Sequence, residues 1–171
     1  MRLIESLSTA PDMTASNDPP ARPYKIPRSV LVVIHTPALD VLLIERADRP
    51  GYWQSVTGSL DRDDESLVDT CWREVREETG LQEGELTDWQ QRNVYEIYAT
   101  WRHRYAPGVM HNTEHVFSLC VPQPVVVTLD PREHRAQQWL PWQQAAERCF
   151  SPSNADAVRA LPHRMARKAG P

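Results

Sequence analysis

No stretch of the 171-residue chain is apolar for long enough to span a bilayer as a helix. The N-terminus lacks the charged start and apolar core of a secretion signal. Cysteine is scarce: Cys71, Cys120 and Cys149 are three, odd in number, widely spaced and set in apolar patterns. That arrangement argues against a disulfide framework or a zinc site and for buried free thiols in a reducing compartment, so the expected location is cytoplasmic. His103, His111 and His115 lack standard zinc spacing too. There is no basic excess, and a formal charge of −4 argues against non-specific nucleic-acid binding. Internal repeats and low-complexity tracts are also missing. What remains is one domain, long enough to bury a sizeable core.

Residues Met1 to Pro23 carry Ser, Thr, Asp and four prolines without periodicity, which predicts a flexible arm over 1–23. A single domain is expected over 24–165, with a short tail over 166–171. Two near-continuous β-branched runs, Arg28 to Ile34 and Val41 to Ile44, read as central strands, with a turn over Pro37 to Asp40. A third apolar stretch, Trp53 to Val56, ends at Thr57-Gly58. Alternation predicts strands over Asn93 to Thr100 and Glu114 to Val121, with a basic, aromatic loop between them. Gln138 to Leu140 reads as a short strand, Pro141 as the first position of a helix to about Arg148, and Ser153 as the cap of a last helix over Asn154 to Leu161. Mixed strands with helices on both sides give an α/β/α sandwich.

The most informative stretch is WQSVTGSLDRDDESLVDTCWREVREETGL, from Trp53 to Leu81. A helix is expected from about Glu65 to Thr79, with Asp63, Asp64 or Ser66 available as its cap and Gly80 ending it. At 3.6 residues per turn, Arg73, Glu74, Glu77 and Glu78 share one side, opposite Leu67, Val68, Cys71, Trp72 and Val75. Like charges at i, i+4 cost a few tenths of a kcal/mol unless a cation compensates. One reading is a solvated acidic face. The other is an oxygen-rich site for a hard divalent ion that shares its shell with substrate phosphates.

Glu65, Arg73, Glu74, Val75, Glu77, Glu78, Gly80 and Leu81, preceded by Gly58, resemble the Nudix box: Gly, five residues, Glu, seven residues, Arg-Glu, aliphatic, any residue, Glu-Glu, any residue, Gly, aliphatic. Six residues rather than five separate Gly58 from Glu65, which reads as a one-residue loop insertion. The resemblance implies an α/β class, Nudix-type α/β/α sandwich with a mixed central sheet and a hydrolase of phosphoric anhydride bonds. It also implies Mg2+, for which Mn2+ can substitute. Glu74, Glu77 and Glu78 are then the expected catalytic residues and metal ligands, while Arg73, Glu65 and Gly80 support the box. Glu133 is a further ligand candidate from a loop, with Glu114 as its rival.

Outside the box, Tyr24-Lys25, Trp53 to Ser59, Arg102 to Val109, Asn112 to Glu114, Glu133-His134 and Ser153-Asn154 are similar to family members that cleave dihydroneopterin triphosphate to the monophosphate and pyrophosphate in folate synthesis. This implies substrate contacts at Lys25, Thr57, Gly58, Tyr95, Tyr98 and Ser151, and Arg46, at a strand end facing the loop, is a further candidate for the phosphates. Trp53, Tyr95, Tyr98 and Tyr105 are candidates to stack on a flat ring, although Trp53 also suits a core position. The expected partner is a small-molecule triphosphate, without nucleic acid or membrane. Two other functions fit the box: a nucleotide-pool pyrophosphatase acting on nucleoside triphosphates, and a Nudix-fold ligand-binding module without catalysis.

Overall fold

The computed structural model describes residues 23–168, so nearly all of the expected arm lies outside the described residues. Seven strands form one mixed sheet: β1 Arg28–His35, β2 Asp40–Arg46, β3 Trp53–Gln54, β4 Val56–Ser59, β5 Glu85–Glu96, β6 His111–Cys120 and β7 His134–Pro141. The order is β3-β2-β1-β6-β5, with β4 pairing β1 and β7 pairing β2. Only β1 and β6 run parallel, in register from Arg28 opposite Thr113 to His35 opposite Cys120. Among the described residues the α-helices are α1 Leu67–Thr79, α2 Trp142–Arg148 and α3 Pro152–Lys168.

Alternation along β1 builds two cores. Val30, Val32 and Ile34 pack with Cys71 and Val75 of α1, while Leu31 and Val33 pack with Ala145 of α2 and Ala157, Val158 and Leu161 of α3. A strand buried on both faces has no polar side, which is why this segment reads as a continuous β-branched run. The sheet therefore sits between helices on both faces, as the α/β/α reading expects. Among the described residues, no helix is long and apolar enough to cross a membrane.

Several elements differ from the sequence expectation. The helix expected from Glu65 begins at Leu67, because the Ser66 side chain accepts the Asp69 N–H and caps it. Val68, expected on the packed side, lies exposed near the helix start. Strand β5 begins eight residues earlier than Asn93, at Glu85. A bulge between Asp88 and Gln91, with Gln90 at φ 52°, breaks its alternation and hides its first half from a period-two reading. The strand expected to run to Thr100 ends at Glu96, and Ala99 starts a 3-10 helix, Ala99–Arg104. The stretch from Trp53 divides into β3 and β4, which pair with different strands. Helix α3 runs to Lys168, three residues into the expected tail.

Candidate metal and phosphate site

Arg73 organises the box. Its Nε donates to Glu65 Oε1 at 2.9 Å, its Nη1 to Glu74 Oε1 at 2.7 Å, and its Nη2 to the Ser59 carbonyl at 2.9 Å. Asp61 adds a carboxylate at 3.3 Å from Nε. This fork ties the helix to the loop that precedes it. The inserted residue is absorbed in the exposed turn Asp61 to Asp64, and the Asp61 N–H still reaches Glu65 Oε2 at 2.8 Å. Gly58 stays in register in β4, opposite Val30.

The glutamate face of α1 divides. Glu74 and Glu78 are buried along the edge of the first core, whereas the Glu77 side chain is 60% exposed and lies 3.6 Å from Arg73. Glu74 presses against β4: a Cβ built on Gly58 would stand 1.8 Å from its carboxyl carbon, so no other residue fits at Gly58 without displacing Glu74. The Thr57 N–H approaches Glu78 Oε2 at 3.4 Å. Gly80, at φ 74°, ends the helix in the left-handed conformation that glycine adopts readily.

At the start of β7 the pairing with β2 slips between Glu45 and Arg46, so that Arg46 faces His134 while Glu45 faces Ala136. Arg135 swings outward to Glu45, at 3.3 Å. The bulge aims His134 at α1, with Nε2 at 3.9 Å from Glu78 Oε1. Ligand atoms of Glu78, Glu133 and His134 all lie within 4.8 Å of one another. Glu133, a ligand candidate from the sequence, thus lies beside Glu78, and Glu74 is bonded to Arg73. The rival Glu114 is placed elsewhere: it shares the α3 side of β6 with Val116 and bonds Asn93 and Ser153. His134 is the residue sequence reasoning missed. Its adjacency to Glu133 was visible, but only the bulge turns it inward.

Burial dominates the electrostatics. It pushes the Glu74 carboxyl up to about 7 against the opposing pull of Arg73. Glu78 is raised well above the ordinary range by burial, then by Glu74 and Glu133. His134 falls to about 4 through burial and the charge of Arg46, so the ring is neutral at pH 7. Lys25 is lowered by burial and Arg104, and sits in the field of Glu74 and Glu133. Buried carboxylates and a neutral imidazole are expensive without a cation, and this donor set fits a divalent ion.

A pH signature follows for the metal-free protein. The folded state holds the Glu74 proton more tightly than the unfolded chain, so stability falls as pH rises from about 4.5 to about 7. His134 acts oppositely from about 4 to 6.5 and then stops. Thermal melts in chelator should therefore lose midpoint as pH rises from about 6.5 through about 7, and millimolar magnesium should reverse the loss by binding the ionised carboxylates.

Next to this acidic end lies an aromatic one. A cleft of about 300 Å³ is lined by Arg49, Tyr52, Tyr98, Ala99, Thr100, Trp101 and Phe150. Tyr52 stacks on Phe150 with centroids 4.7 Å apart, and Tyr98 meets Trp101 edge-on. Arg46 joins the two ends: its guanidinium lies 5.0 Å over the Trp101 ring and is clamped by Asp48 at 2.8 Å. Ser151 follows Phe150 and immediately precedes α3. Tyr95 is placed apart from the cleft residues, its hydroxyl bonded to Asn112 at 3.1 Å. Trp53 belongs to the second core, with Arg148 over its ring.

Residues 25–161 match the NUDIX domain model. The chain is 40% identical over 140 residues to the dihydroneopterin triphosphate diphosphatase of Escherichia coli, covering 79% of this chain and 91% of that one. The Haemophilus influenzae protein of the same name is 34% identical over 140 residues, covering 80% and 87%. The solved structure of the Escherichia coli dihydroneopterin triphosphate pyrophosphohydrolase superimposes with a TM-score of 0.74, covering 79% of this chain and 94% of that one. The match of sequence, box and sheet over the same residues establishes that the chain belongs to the Nudix family.

Proposed function

We propose that the protein is a magnesium-dependent pyrophosphohydrolase that converts dihydroneopterin triphosphate and water to dihydroneopterin monophosphate and pyrophosphate. The observation that carries this reading is the adjacency of a carboxylate cluster to an aromatic cleft on either side of Arg46, which pairs with His134 and lies over the Trp101 ring. A triphosphate ends in charge and a pterin is a flat ring, so one substrate addresses both ends. The relatives at 34–40% identity carry the name of this activity.

Glu78 and Glu133 would hold the ion, with Glu74 in the adjacent wall and Glu77 at its solvent side. When bound, the cation would neutralise phosphate oxygens and lower the pKa of the attacking water. Arg73 keeps Glu74 in place, and Gly58 lets that carboxylate approach the strand. Lys25, half-buried in the fields of Arg104 and the acidic residues, would take up phosphate charge. Arg46, already shared between Asp48 and Trp101, would bridge the phosphates to the ring. Tyr98, which lines the cleft, would border the ring, with Ser151 next in sequence to Phe150 of the same cleft, and Thr57 and Gly58 offer backbone beside the carboxylates.

The test is kcat/KM measured with magnesium for dihydroneopterin triphosphate and for the common nucleoside triphosphates. We expect the pterin substrate to lead by at least about tenfold. A nucleotide preferred by that margin would make this a nucleotide-pool enzyme, and no turnover of any triphosphate would leave a ligand-binding module.

A further inference from the structure

His134 is 3% exposed, and neither ring nitrogen has a hydrogen-bond partner among the described residues. A buried polar group without a partner costs about 1–3 kcal/mol. The bulge at Glu45/Arg46 nonetheless holds the ring against Glu78, while the adjacent Arg135 is satisfied at the surface by Glu45. The imidazole faces two carboxylates whose oxygens lie within 4.8 Å of its own ligand nitrogen and of each other. An imidazole flanked by two carboxylates is a ligand set for a divalent ion, and its nitrogen shifts preference toward manganese, cobalt or zinc relative to an all-oxygen site.

We infer that His134 is a direct nitrogen ligand of the divalent ion held by Glu78 and Glu133, and that it biases the site toward manganese over magnesium. The inference rests on the metal-dependent reading of this site but not on the identity of the substrate. His134 was given no role by the spacing of the box, because it lies more than fifty residues beyond Glu78 in sequence.

The full chain loaded with Mn2+ tests it without substrate. Pulsed EPR of wild type should show coupling of the manganese electron spin to a histidine nitrogen, and the coupling should vanish in His134→Gln. Calorimetric titration of that variant should show Mn2+ affinity reduced by about tenfold or more and Mg2+ affinity changed less. If His134→Gln does not fold, wild type carrying 15N-labelled histidine reads the same coupling. Absence of nitrogen coupling in wild type, or its persistence in the variant, overturns the inference. Because the readout is binding alone, a substrate other than the pterin triphosphate leaves it untouched. Loss of manganese binding altogether would instead strike the metal-dependent function.

Discussion

Glu78→Gln should lower kcat by about three orders of magnitude, while the metal-free protein keeps or gains thermal stability. The two effects have one source. Glu78 is 4% exposed, and its charge is opposed by burial and by Glu74 and Glu133. Removing that charge relieves the metal-free fold. The bound ion depends on it, and metal catalysis contributes several kcal/mol of transition-state stabilisation, so at about 1.4 kcal/mol per factor of ten the loss is ~10³-fold. Turnover of the variant and of wild type at saturating magnesium, with a melt of each in chelator, measures both. Near-wild-type turnover would remove Glu78 from the ion; a large drop in midpoint would make its role structural.

Arg73→Met is expected to be the most destabilising single change in the box. It leaves the Glu65 carboxylate, 7% exposed in its side chain, without its charged partner, and frees Glu74 and the Ser59 carbonyl. Breaking a buried ion pair from one side costs about 3–5 kcal/mol, which in a domain of this size lowers the midpoint by roughly 6–20 °C. Glu65 is held down at about 2 chiefly by Arg73, so the wild type gains stability from this pair above about pH 4.5 and loses it as pH falls toward 2. The Arg73→Met protein should lack that acid-side decline. Combining it with Glu65→Leu should recover part of the loss, because the orphaned charge is then gone. A variant that melts with wild type would show that the fork contributes nothing to stability.

Where sequence and structure agree, the signal is local. The helical spacing of Arg73, Glu74 and Glu78 follows from 3.6 residues per turn, and the caps at Ser66 and Gly80 are local hydrogen bonds. The β-branched runs of β1 and β2 are legible because both faces of those strands are buried. Where they part, the cause is long-range. Gln90 bulges β5 and erases its period, and nothing near Glu85 in sequence announces the pairing with Cys120. The division of the glutamate row into buried Glu74 and Glu78 and exposed Glu77 is decided by β4 packing on one flank of α1.

The site follows the same division. By itself the sequence determined the family, the sandwich and the placing of Arg73 with Glu74, Glu77 and Glu78 on one helix side, because these depend on residue types at fixed spacing along one helix and its approach loop. Only the tertiary structure decided which donors converge. Glu133 and His134 reach Glu78 through a bulge on a strand that pairs with β2, Glu114 is turned to the opposite face, and Tyr98 and Phe150 meet beside Arg46 across distant segments. Such convergence depends on register between strands far apart in the chain, and no spacing within one segment encodes it.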